Sequence, residues 1–207
     1  MRARQRQLVV FVKAPRLGQA KSRLAAGIGG VAALGFYRRM MERLIRRLRR
    51  DARWRTVLAT TPLRAGRPRT WPPGLQRRDQ GWGDLGARMA RVFRALPPGP
   101  VVIVGSDIPD LTATHVWTAF RALGRHEAVF GPASDGGYWL IGMRRRPAVP
   151  RALLAGVRWS SSDALADSRA SLPARMSVKI LTTLEDVDDA EAYRRWRSRL
   201  NEARRIS

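Results

Sequence analysis

Residues 100–111, PVVIVGSDIPDL, constrain this chain more than any other stretch. Val101 to Val104 is short, wholly apolar and rich in β-branched side chains. Such a run reads as a strand buried on both faces, within a sheet covered by helices. It stops at Gly105-Ser106, and Asp107 and Asp110 then bracket Ile108-Pro109. Pro109 lacks an N–H and biases Ile108 away from helix, so the chain turns there. A buried strand therefore delivers acids to its carboxyl end, the edge where open α/β sheets bind ligands. Bare carboxylates at that edge suit a hard divalent cation and the phosphates it carries. The alternative is architectural: Asp107 caps a turn and Asp110 caps the helix after Leu111.

The rest of the chain alternates between similar buried strands and helices. Leu8 to Val12 reads as the first strand, and KAPRLGQAKSRLA follows at 13–25. A glycine-bearing loop that leads from a strand toward a helix offers backbone N–H groups to an anion. Its cations, Lys13, Arg16, Lys21 and Arg23, add charge-assisted bonds to phosphate. The segment is neither a Walker A motif nor GxGxxG, and a solvated basic loop is the competing reading. Val31 to Arg50 is an amphipathic helix with Leu34, Tyr37, Met41, Leu44, Ile45 and Leu48 on one face. Thr56 to Thr60 reads as a second strand, followed by a Pro- and Gly-rich loop to Gly74. In residues 78–93, Gln80-Gly81-Trp82-Gly83 is a loop and Asp84 the N-cap of a helix. That loop suits a nucleoside above the phosphates, or else Trp82 anchors the core.

Thr114 to Leu123 is the next helix, and Ala128 to Phe130 a short strand. Asp135-Gly136-Gly137 marks a tight turn into a strand from Tyr138 to Ile141. A polar loop, 158–162, leads to a helix near Asp163. Val178 to Thr182 is the last strand, and Asp186, Asp188 and Asp189 precede a C-terminal helix. Acids before a helix are favourable whatever the function. Yet the chain has only 16 acidic residues, and six of them lie just past expected strands. Acids set at strand ends of a basic chain suggest a cation site.

The order strand, helix, strand implies an α/β layered fold with a mainly parallel sheet and helices on both faces. A length of 207 residues suits one domain spanning 1–207. There is no cysteine, so disulfides and thiolate metal sites are excluded. No apolar run approaches the roughly 20 residues that span a bilayer, and the first one is too short for a signal peptide. A cytoplasmic location is expected. Net charge is +24, nearly all from arginine, since Lys13, Lys21 and Lys179 are the only lysines. Such a charge raises nucleic acid as a partner. But the arginines are spread along the chain and lack the aromatic interleaving of an RNA-binding sheet.

Six motifs in order, FVKAPRLGQAKSRLA, QGWGDLGARM, VGSDIPDL, GPASDGGYWLIG, RWSSS and LEDVDDAEAY, resemble a family of small bacterial proteins. This is DUF2064, whose members are regarded as glycosyltransferases of the type found near radical-SAM and arsenosugar genes. The family is similar to 2-phospholactate guanylyltransferases and molybdopterin nucleotidyltransferases. The resemblance implies a GT-A-like fold that moves a sugar from a nucleotide-diphosphate donor to a small acceptor with Mg2+ or Mn2+. Lys13, Arg16, Lys21 and Arg23 would hold the nucleotide phosphates, with Gln80, Gly81 and Asp84 toward the nucleoside. Asp107 would be the metal-binding acid, written Asp-x-x-Asp with Asp110 rather than Asp-x-Asp. Asp188 would be the second ligand, although DVDDAEAY departs from related motifs and leaves Asp186 in contention. Asp135 is the candidate for acceptor deprotonation or for holding sugar hydroxyls. Pro15 stands where nucleotidyltransferases carry glycine-rich backbone. A nucleotidyltransferase acting on a phosphorylated small molecule is the second reading, and a non-catalytic nucleic-acid-binding module the third.

Overall fold

The computed structural model describes residues 5–61, 73–145 and 148–206. The Pro- and Gly-rich loop expected before Gly74 lies mostly outside the described residues. Among the described residues, seven strands form one sheet. They are β1 (Gln7–Lys13), β2 (Arg55–Thr61), β3 (Gln76–Asp79), β4 (Val101–Val104), β5 (Ala128–Pro132), β6 (Tyr138–Met143) and β7 (Val178–Ile180). Their spatial order is β3-β2-β1-β4-β6-β5-β7. All neighbours pair in parallel except β6, which runs antiparallel to both β4 and β5. The expected mainly parallel sheet is present.

The helices are α1 (Ser22–Ile28), α2 (Gly30–Arg49), α3 (Leu85–Ala95), α4 (Ala113–Ala122), α5 (Ala164–Ala170) and α6 (Ala190–Ile206). Alternate residues of β1 serve opposite faces, as strand pleating demands. Leu8, Val10 and Val12 pack with the buried face of α2 and with Val116 and Phe120 of α4. Val9 and Phe11 pack with Met89, Val92 and Phe93 of α3. Each fully buried Val or Leu contributes about 1.5–3 kcal/mol, so both layers hold the central strands in place.

Strand β3 was not expected from the sequence. Its residues, QRRD, carry no apolar pattern, because an edge strand is held by backbone pairing to β2 rather than by burial. The architectural reading of Asp110 also needs correction. Helix α4 is capped by Thr112, whose hydroxyl accepts from the His115 N–H while the His115 ring accepts from the Thr112 N–H. Asp84 does cap α3 as expected, accepting from the Ala87 N–H at 2.7 Å.

The sheet order sets β1 beside both β2 and β4. The connections after β1 and β4 therefore leave the same sheet edge side by side, where a crevice opens.

Candidate active site

That crevice is built around Lys21. Its ammonium lies 2.7 Å from Asp107 Oδ1 and 3.0 Å from Asp188 Oδ1, and donates to the Val187 carbonyl at 2.7 Å. The side chain is 3% exposed. Burial by itself pushes an amine down, but the Asp107 and Asp188 carboxylates outweigh it and hold Lys21 above its ordinary value. Burial works against Asp188 too, yet Lys21 and Arg23 keep its carboxyl below the usual range. Arg23 forms an ion pair with the other Asp188 oxygen and is otherwise mostly exposed. Lys21 sits in the left-handed region, φ 58, just before α1 and without a side-chain cap. A non-glycine residue pays a conformational cost there.

Asp107, at the end of β4, is thus joined to the loop after β1 through Lys21. Asp110 is not part of this arrangement. It lies 3.4 Å from Arg199, on the outer side of the same turn. Asp189 caps α6, accepting from the Ala192 N–H at 2.8 Å. The acids gathered in sequence are therefore sorted by the fold into separate tasks.

A cavity of about 460 Å³ opens over Lys21, walled by Val12, Lys13, Gln19, Ser22, Tyr37 and Arg88. A second, of about 290 Å³, adjoins it and is walled by Asp135, Asp186, Trp139, Trp159, Ser160 and Ser161. Asp107, Asp188, Gly105, Leu85 and Tyr138 line both. Asp186 is pushed above the usual carboxylate range by burial, then by the Asp135 and Asp188 charges. Asp135 Oδ1 accepts from the Gly137 N–H at 2.9 Å, which holds the turn. Gly136, at φ 85, is required there. A Cβ would sit 2.2 Å from the Ser162 carbonyl oxygen, so only glycine lets this turn press against the 160–162 loop.

The loop expected above the nucleoside makes structural bonds at the edge of the first cavity. The Gln80 amide donates to the Val12 and Ala59 carbonyls at 3.1 and 2.9 Å, tying β1 to β2, although Gln80 also lines the first cavity. The Gly81 N–H donates to Asp79, and a Cβ on Gly81 would meet the Arg91 guanidinium. Asp84 is occupied as a helix cap. Trp82 is no core anchor: it is 79% exposed, with Arg91 4.4 Å above its ring. Lys13 lines the cavity, whereas Arg16 stays exposed on the loop.

The sequence did not single out Tyr37 or Trp159. The Tyr37 hydroxyl donates to the Lys13 carbonyl at 2.9 Å and stands 3.4 Å from Ser106. Burial first, and then Asp107, push its pKa up to about 12. On the helical wheel Tyr37 is one apolar residue among several; only the phenol's need for a partner once buried hinted at more. The indole Nε1 of Trp159 is buried with no partner among the described residues.

The model of DUF2064, an uncharacterized protein family conserved in bacteria, matches residues 44–161, more than half of the chain. The chain belongs to the DUF2064 family. Among solved structures, this DUF2064 chain resembles a candidate nucleotide-diphospho-sugar transferase of Desulfovibrio desulfuricans G20. The identity is 29% and the TM-score 0.78, over 90% of this chain and 84% of that one. It also resembles 4-diphosphocytidyl-2C-methyl-D-erythritol synthase of Anaerococcus prevotii DSM 20548, with identity 10%, TM-score 0.61 and coverage of 96% and 99%. A third likeness is to glucosyl-3-phosphoglycerate synthase of Mycobacterium tuberculosis, in complex with Mn2+, UDP and its product. There the identity is 12% and the TM-score 0.52, over 88% and 71% of the chains. The last two show the fold alone, which is GT-A-like. No protein of curated function matches the DUF2064 chain in sequence. The general kind these likenesses support is a transferase of nucleotide-linked substrates. No helix among the described residues is long and apolar enough to cross a membrane.

The donor set of the DUF2064 chain fits a hard cation in one respect. Two carboxylates and a carbonyl converge on a single point, now held by the Lys21 ammonium. Hard oxygens of that kind suit Mg2+ or Mn2+. Among the described residues no three acids or imidazoles come together as a ready-made metal cage, so substrate oxygens would have to complete the shell.

Proposed function

We propose that the chain transfers a glycosyl group from a nucleotide-diphosphate donor to a small-molecule acceptor. One observation carries the reading: two adjoining cavities meet over Asp107 and Asp188, one bordered by the cationic loop and one by acids and aromatic rings. A two-substrate transfer needs such a shared floor, because the reacting atoms must be brought within about 3–3.5 Å of each other. Lys13 and Lys21 face the first cavity, where a diphosphate would gain charge-assisted bonds. Asp107 and Asp188 would hold Mg2+ or Mn2+, which supplies neutralisation of the leaving diphosphate. Trp139, Trp159 and Tyr138 offer flat apolar walls for a sugar or acceptor in the second cavity. Asp135, beside them, would accept the acceptor's proton or hold sugar hydroxyls. The unpartnered Trp159 N–H is a donor in want of a ligand oxygen. The whole of 1–207 would then act as one transferase domain.

A thermal-shift screen of nucleotide sugars and nucleoside triphosphates, with and without Mn2+, tests this. A Mn2+-dependent shift with a nucleotide sugar, and release of the nucleoside diphosphate on turnover, is the expected result. Release of pyrophosphate from a triphosphate would instead establish the nucleotidyltransferase reading, which the cytidylyl-transferase-like fold keeps as the second possibility.

A further inference from the structure

A groove of about 340 Å³ separates α2 from α6, on the far side of the turn that carries Asp107. Its floor is apolar and aromatic. Phe36 stands edge-on to Tyr193 and Trp196, at 5.0 and 5.4 Å between ring centroids, with Met40 and Leu44 alongside. Its rim is cationic: Arg39, Arg43 and Arg47 from α2, and Arg197 from α6.

These arginines are not the paired guanidinia seen elsewhere on the same helices. Arg46 pairs with Glu42, and Arg195 and Arg199 pair with Glu185. Among the described residues, the guanidinia of Arg39 and Arg43 have neither an ion pair nor a hydrogen bond. Arg47 donates one N–H to the Leu111 carbonyl at 2.6 Å, and Arg197 lies over the Tyr193 ring at 5.6 Å. Among the described residues Asp110 is the one acid at the rim, and Arg199 is already beside it. Four like charges around one concavity repel each other, and a bound anion removes that repulsion.

We infer that this groove is a second binding site, for a small organic anion with a flat apolar body. The rings and methionine receive the body, and the free guanidinia of Arg39 and Arg43 receive phosphate, sulfonate or carboxylate groups. The size lies within the range of about 300–1,000 Å³ typical of small-molecule sites. A nucleic acid strand would instead call for an extended track of charge with bases stacking along it. Nothing in the inference depends on the transferase reaction, because the groove shares no lining residue with the cleft that holds Lys21.

The probe is 8-anilinonaphthalene-1-sulfonate, an anion on a flat apolar body, titrated against the full chain by fluorescence. Saturable one-site binding to the wild type is expected. Arg39→Glu with Arg43→Glu should weaken it about ten-fold or more, and Lys21→Ala should leave it unchanged. If the double glutamate variant melts early, Arg39→Gln with Arg43→Gln carries the same comparison. Binding that survives loss of both arginines, or that Lys21→Ala removes, overturns the site. So does failure of the probe to bind where a single-stranded RNA 12-mer binds through Arg39 and Arg43, since the partner is then macromolecular.

Discussion

The Lys21 ammonium lies 2.7 Å from the Asp107 carboxylate, almost wholly out of solvent, and so joins the first loop of the chain to the end of β4. A buried cation so close to Asp107 and Asp188 stands where a divalent cation would be drawn. Lys21→Ala should weaken nucleoside-diphosphate binding by roughly 1–3 kcal/mol, the range for charge-assisted bonds. It should also let Mn2+ bind more tightly in the absence of nucleotide, since the two carboxylates lose their competing ammonium. Calorimetry with UDP and with Mn2+ separately checks both. Unchanged UDP affinity would mean that Lys21 serves the fold alone.

Asp107 and Asp110 are three residues apart but face different places. Asp107→Ala should abolish Mn2+-dependent nucleotide binding, because it removes one of two carboxylate oxygens at the point of convergence. Asp110→Ala should leave that binding intact, because Asp110 faces Arg199. Equal losses in the two variants, measured by titration, would refute the division.

Asp135→Asn keeps a side-chain oxygen to accept from the Gly137 N–H, so the turn and donor binding should persist. Turnover should fall about 100-fold or more, the scale for losing a general base. A variant that turns over normally would confine Asp135 to shaping the turn. One that loses Mn2+-dependent donor binding would make Asp135 a cation ligand.

Acid should weaken the fold partly through Asp188. Its carboxyl is held below its ordinary 3.8 in the folded chain, so its contribution is present above that value and lost as pH falls through the lower folded one. Lys21 and Tyr37 have the opposite sign. Both are raised, Tyr37 from 10.0 to about 12, so their contributions are present in neutral solution and lost in strong alkali. Urea unfolding at intervals from about pH 6 down to pH 3 should show a shallower acid decline for Asp188→Asn than for the wild type. Parallel curves would show that the Lys21–Asp188 pair carries no net stability.

Gly136→Ala should disturb the second cavity without touching its acids. The added Cβ meets backbone of Ser162, which cannot rotate away, and φ 85 is itself unfavourable for alanine. A loss of about 1–3 kcal/mol is expected from chemical denaturation. A silent substitution would mean that the 160–162 loop yields easily.

Local pattern was enough for the layered architecture. Val101–Val104 and Leu8–Val12 are apolar at every position because both sheet faces are covered, and α2 shows its buried stripe because a helix repeats every 3.6 residues. The same logic placed Asp107, Asp135 and Asp188 at strand ends. It had no purchase on β3, whose order comes from pairing with β2 rather than from its own side chains. Nor did it separate Asp107 from Asp110, or show that Gln80 braces two strands while Tyr37 reaches the cleft. Those outcomes depend on the direction each side chain takes after a turn, and on which distant element it meets there. Lys21 and Asp188 are 167 residues apart. Only closure of the sheet, with α1 packed against α6, brings an ammonium and that carboxylate to 3.0 Å.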